Sequence, residues 1–139
     1  MKQLTVKEIE YIAFRLAEEV LFFNEPIPDF KSRFPNVLES CLAAPFAGFG
    51  GKSGYPSLVD KASILFYLMI KNHPFQNGNK RIAMTTLFVF LYKNKKWLKV
   101  DTQELYNFTM WVAQSPAKFK EETIKAIQKF LRANTVVLN

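Results

Sequence analysis

Residues 73–81, His-Pro-Phe-Gln-Asn-Gly-Asn-Lys-Arg, separate the two most apolar runs of the chain and decide how it must fold. Upstream, Ser57-Leu-Val-Asp60 has the pattern of a helix-starting capping box after Pro56. From Leu58 to Ile70 the residues are apolar on nearly every side, which marks a helix buried all round. Pro74 removes a backbone donor and restricts His73, so that helix must end there. Downstream, Ile82, Ala83, Leu87, Phe88, Val89 and Leu91 carry a second buried helix from Lys80 to about Lys93. Lys93, Lys95 and Lys96 suit its negative C-terminal end. Two buried helices joined by a short polar loop form the expected centre of a compact all-α domain.

The flanking segments read as helices packed around that pair. Thr5 and Glu8 make another capping box, and Val6, Ile9, Ile12, Ala13, Leu16 and Val20 repeat at helical spacing to about Phe22. Pro26, Pro28 and Pro35 make 24–35 a loop with little regular structure, after which Asn36 with Glu39 would cap a short helix ending before Pro45. Four of the five glycines fall at 48, 50, 51 and 54, so 47–56 reads as a flexible loop or a small hairpin, serving either as a mobile flap over a site or as a plain surface connection. Asp101 with Glu104 caps a fifth helix to about Gln114. Ser115-Pro116 starts a sixth, with Phe119, Ile124, Ile127 and Leu131 on its apolar face. Val136-Val137-Leu138 remains a short apolar tail with no assigned role. The expectation is about six helices in one domain over 1–139, with a flap before the central pair.

Composition removes several function classes. Nearly half of the 139 residues are apolar and 22% are charged, which is globular and not disordered. The one cysteine, Cys41, reads as a small buried apolar residue, and no Cys/His cluster offers a zinc site. Lys7, Glu8 and Glu10 interrupt the N-terminus where a signal peptide would be apolar. The longest uncharged run, Ile82 to Tyr92, falls well short of the ~18 residues of a membrane span. A cytoplasmic protein with no membrane partner is expected. The net charge of +7 favours acidic ligands of any kind. Lys93, Lys95, Lys96 and Lys99 read as a helix end and a solvated turn, and no aromatic stacking platform accompanies them, which argues against a nucleic-acid binder.

The central loop has the parts for phosphate chemistry. The first-turn amides at Gly78, Asn79, Lys80 and Arg81 open the second buried helix at its positive end, a ready anion site. Gly78 leaves room for a phosphate to approach, Arg81 can fork onto its oxygens and Lys80 supplies a point charge. The Walker pattern is absent, because Lys80 is followed by Arg81. His73, the only histidine, stands at the mouth of this loop and can act as a base near neutral pH. Transfer of a phosphoryl or nucleotidyl group to a hydroxyl is the matching reaction. Phe75 reads as a core anchor for the loop.

HPFQNGNKR resembles the signature of the Fic/Doc superfamily, and its Asn-Lys-Arg ending is like the Doc (death-on-curing) branch. AMP-transferring Fic enzymes end instead in Asn-Gly-Arg. The resemblance extends through LESCLAAP, the glycine-rich segment, YPSLVDKASILFYLMIKN and IAMTTLFVFLYKN, about residues 36–112. It implies a compact all-α fold and the toxin of a toxin–antitoxin pair. By the same resemblance the activity is that of an ATP-dependent protein kinase acting on a threonine of elongation factor Tu and so blocking translation. An AMP transferase and a catalytically weak binding module are the alternatives. His73 would be the base, and Gly78, Asn79, Lys80 and Arg81 would hold the phosphates of ATP. The flap, with Gly48, Gly50, Gly51, Lys52 and Gly54, would dock the target. Position 77, usually acidic and a Mg²⁺ ligand in the superfamily, is Asn77, whose neutral amide should bind the cation less well. The Ser/Thr-x-x-x-Glu-Gly/Asn inhibitory helix of self-restrained Fic proteins has no match in the sequence, so an antitoxin is expected as a separate partner.

Overall fold

The computed structural model describes residues 1–19 and 25–138. The expected end of the first helix near Phe22, with Val20, and the start of the next loop at Asn24 lie outside the described residues. Helices dominate, and the central pair is α4, Leu58–Lys71, and α5, Asn79–Lys93. The two pack against each other across the short loop that joins them. Around them pack α3, Pro35–Ala43, α6, Thr102–Gln114, and α7, Lys120–Asn134. Ser57 and Asp60 form the expected capping box on α4, and Asp101 accepts from the Glu104 amide at the head of α6. No helix of the described residues is long and apolar enough to cross a membrane.

The first helix departs from a plain amphipathic α-helix. Its opening turn, α1, Val6–Glu8, carries the expected capping box between Thr5 and Glu8. A π-helical segment, Ile9–Ala13, then leads into α2, Phe14–Glu19. The wider π turn rotates the residues beyond it about the helix axis, so Ile9, Ala13, Phe14 and Ala17 are buried while Ile12 and Leu16 are exposed. The apolar spacing had put Ile12 and Leu16 on the inner face. The Thr85 hydroxyl of α5 donates to the Ala13 carbonyl at 2.7 Å, where the π turn ends.

Three further differences have local causes. Phe34, not Asn36, is the N-cap of α3, with Pro35 pre-organised at the first position and no side-chain cap bond. The proline-rich loop contains a 3₁₀ turn, Phe30–Ser32, started by the Asp29 carboxylate accepting from the Lys31 amide at 3.0 Å. Pro116 precedes a 3₁₀ turn, Ala117–Phe119, and α7 begins only at Lys120.

Strands are few and short. The 47–56 segment does form a hairpin, β1, Gly48–Phe49, on β2, Lys52–Ser53. Gly50 and Gly51 both have positive φ, 61° and 79°, as a two-residue hairpin turn matching the strand twist requires. The apolar tail, read as having no role, is a strand: β3, Lys96–Leu98, pairs antiparallel with β4, Thr135–Val137, with Trp97 opposite Val136. Trp97 packs its ring at 5.0 Å from that of Phe88 on α5, which ties the C-terminus to the central pair. Cys41 is fully buried, and burial pushes its thiol up to about 11, so it stays a protonated, apolar filler.

Candidate active site

The loop between α4 and α5 is held from beneath by Phe75 and Asn79. Phe75 is buried with its ring 5.6 Å from Phe14 and 5.9 Å from Phe30, and the Phe14 and Phe30 rings meet edge-on at 5.2 Å. The buried Asn79 amide closes both backbone groups of Phe75, accepting from its N–H at 3.0 Å and donating to its carbonyl at 2.9 Å. Pro74 offers its carbonyl to the Phe34 N–H at 2.9 Å. With both ends pinned, His73 is held at φ 51°, a left-handed conformation that is costly for a residue with a β-carbon and more so before proline. Strain of this sort persists only where the surroundings over-determine it.

His73 lies on a cleft of about 450 Å³. Gln76, Asn77, Asn79 and Lys80 from the loop and the head of α5 line it with His73. Ile70 of α4 and Met110, Ala113 and Gln114 of α6 form the far wall. Lys71 fixes that wall by donating its ammonium to the Ser115 carbonyl at 2.5 Å and the Ala113 carbonyl at 3.3 Å. Glu25, from the proline-rich segment, closes the remaining side, and its carboxylate forms an ion pair with Lys80.

The site residues expected from the sequence divide into three groups. His73 and Lys80 share the cleft, with the first-turn amides of α5 beside them. Asn79 and Arg81 are at the head of α5, but their side chains are engaged with the protein. Arg81, only 7% exposed, donates to the Ala17 carbonyl at 2.5 Å and to the Glu25 carbonyl at 2.7 Å. Its expected fork onto phosphate is replaced by a tie between α2 and the segment at Glu25. Gly78 does need to be glycine, with φ 70°, but its open face is covered by Ile27 and Pro26.

The 47–56 hairpin is the third group, and the structure separates it from the cleft. None of Gly48, Gly50, Gly51, Lys52 and Gly54 lines the cavity around His73. The hairpin is anchored at the start of α4, where Lys61 donates to the Ser53 hydroxyl at 3.1 Å and the Tyr55 carbonyl at 2.5 Å. Neighbouring Phe46 packs 6.2 Å from Phe90, near the end of α5. His73 lies past the opposite end of α4, and a helix of fourteen residues spans about 20 Å. The proline-rich segment borders the cleft instead, through Glu25, although the proline spacing marks it only as a plain loop. Its one signal in the sequence is a lone acid ahead of two prolines.

A divalent cation finds a poor donor set here. The Asn77 amide oxygen accepts from the Gly78 N–H at 2.9 Å, and Glu25, the one carboxylate on the cleft among the described residues, is matched to Lys80. Among the described residues there is no group of three or more His, Cys, Asp and Glu side chains that could hold a metal. These residues do not fit a resident Mg²⁺ ion, which requires an oxygen-rich, largely anionic shell.

Comparison with known proteins adds an independent line. A family model described as the Fic/DOC family matches residues 3–91. The chain is similar to Toxin Doc of Mycolicibacterium smegmatis, with 36% identity over 73 residues, which is 52% of this chain and 56% of that toxin. The matched part thus spans little more than half of the toxin's length. No solved structure matches.

Proposed function

The chain belongs to the Fic/DOC family, and from that premise we propose that it is a Doc-like toxin that transfers the γ-phosphoryl group of ATP to a serine or threonine hydroxyl of a target protein. The observation that supports this most is the sharing of one cleft by His73 and Lys80 at the head of α5. In the proposed reaction the His73 ring takes the proton of the target hydroxyl while its oxygen attacks the γ-phosphorus. The bond from that phosphorus to the β–γ bridging oxygen breaks, and ADP leaves with the electron pair. Lys80 and the first-turn amides of α5 balance charge on the phosphates. A base so placed contributes on the order of 10²–10⁴-fold. No step is routed through a metal, because the residues present do not hold one. The expected target class is a translation factor such as elongation factor Tu, and the expected regulator is a separate antitoxin, both by family resemblance.

The test is incubation of the purified chain with a cell extract and ATP labelled at either the α or the γ position, followed by intact-mass analysis of the modified protein. Phosphoryl transfer moves the γ label alone and is the expected result. Movement of the α label with adenosine would establish AMP transfer in its place. His73→Ala is expected to lower transfer by at least about 100-fold. Growth inhibition that survives this substitution undiminished would identify a binding module and overturn both enzyme readings.

A further inference from the structure

We propose that Glu25 is a built-in competitor for the phosphate of the incoming nucleotide, and that binding requires its side chain to leave Lys80. The inference rests on the reading of this cleft as a nucleotide site. Three observations on one short strap carry it. The Glu25 carboxylate pairs with the Lys80 ammonium, and Lys80 is the one lysine or arginine that lines the cleft among the described residues. The Glu25 carbonyl accepts from the buried Arg81 guanidinium at 2.7 Å. Two residues on, Ile27 and the Pro26 carbonyl lie against Gly78, close enough that a Cβ there would meet Ile27 Cδ1 at 2.7 Å.

The backbone of the strap is thus held at the Glu25 carbonyl and again at Pro26 and Ile27, so a rotation of the Glu25 side chain leaves those contacts in place. Both residues line the cleft and are partly exposed, 25% for the Lys80 side chain and 28% for that of Glu25, while the Glu25 oxygen turned to Lys80 is itself buried. A phosphate seeking the same ammonium meets a negative carboxylate on it. Rotation of the Glu25 side chain into water removes that repulsion and uncovers the side of the ammonium that the carboxylate occupied. A ligand without phosphate gains nothing from the exchange. Arg81 acquires a different role from the one its place in the motif suggests, as the residue that positions the strap.

Titration calorimetry in EDTA tests this with ATP, inorganic tripolyphosphate and adenosine as probes. The proteins are the unmodified chain, the isosteric Glu25→Gln variant, Lys80→Met and the double variant. The expected result is about two- to fivefold tighter binding of ATP and tripolyphosphate to Glu25→Gln, the range of a partly exposed ion pair. Adenosine affinity stays unchanged, and the gain disappears when Lys80 is also replaced. If the unmodified chain binds ATP but Glu25→Gln binds tripolyphosphate no more tightly, Glu25 is no competitor, while the nucleotide reading stands. A gain that extends to adenosine, or that persists without Lys80, would likewise overturn displacement from the ammonium. If neither ATP nor tripolyphosphate binds any of the proteins, the nucleotide reading falls and the proposal falls with it.

Discussion

A methyl group added to Gly78 would meet Ile27 Cδ1 at 2.7 Å and the Pro26 carbonyl at 3.1 Å, on a residue whose φ is already 70°. Left-handed backbone costs a residue with a β-carbon roughly 1–2 kcal/mol, and the close approach adds to it. Gly78→Ala is therefore expected to lower unfolding stability by about 2 kcal/mol or more, read as a shift in denaturant midpoint. Adding Ile27→Ala should recover part of the loss, because it removes the collision and leaves the strain. Recovery would show that the strap, as well as the turn, demands glycine here. At this scale the motif told which residue types meet: His73 and Lys80 line one cleft, and Phe75 is buried as a core anchor. It could not tell what the long polar side chains would hold. Asn79 and Arg81 have the chemistry of phosphate ligands, yet Phe75's own backbone and two distant carbonyls reach them first. The carbonyls that Arg81 reaches lie so far away in sequence that they leave no local trace.

At the scale of elements, the ends of helices were legible where a short side chain caps its own backbone, as Thr5, Ser57 and Asp101 do. Elements that exist only through distant pairing were not. The β3–β4 ribbon joins residues 96–98 to 135–137, and the π segment is widened in register with α5, whose Thr85 takes the Ala13 carbonyl. The position of the hairpin was available in the sequence, because a single uninterrupted helix, α4, must hold its preceding and succeeding segments at opposite ends. Lys61 makes that arrangement testable. It is 6% exposed, and its ammonium donates to the Pro45 carbonyl at 3.1 Å as well as to Ser53 and Tyr55, with the Phe46 ring 4.9 Å away. Lys61→Met strands those acceptors at a cost of about 1–3 kcal/mol. Trypsin should then cut faster after Lys52 in the hairpin, while the ATP binding proposed for the cleft, about 20 Å off along α4, stays unchanged. A matched loss of ATP affinity would mean that the hairpin does reach the site.

Taken whole, the molecule closes where its N-terminal segment meets the far end of α5 from the cleft. Lys2 and Asn94 exchange two hydrogen bonds, the Lys2 N–H donating at 2.7 Å and its carbonyl accepting at 3.0 Å. Lys93 donates to the Gln3 carbonyl at 2.8 Å and to the Glu8 carboxylate at 2.7 Å, instead of serving its own helix end. That carboxylate also accepts from the Thr5 N–H at 2.9 Å, so Glu8 joins the start of the first helix to the end of the motif helix. Burial pushes the Glu8 carboxyl upward, but the hydrogen bond from Lys93, the backbone and hydroxyl of Thr5 and the Lys93 charge together hold it below its ordinary value. The unfolded chain then takes up this proton more readily than the folded one. The stabilisation is complete above the ordinary carboxyl value of 4.5 and is lost as pH falls through the lowered folded value. Glu8→Gln keeps an oxygen for Thr5 but removes the charge facing Lys93. It should cost about 0.5–1 kcal/mol at neutral pH, and the gap to the unmodified chain should narrow as pH drops below 4.5. Denaturant midpoints of both proteins across that interval decide the matter, and a gap independent of pH would assign the loss to packing, with no contribution from the link between Glu8 and Lys93.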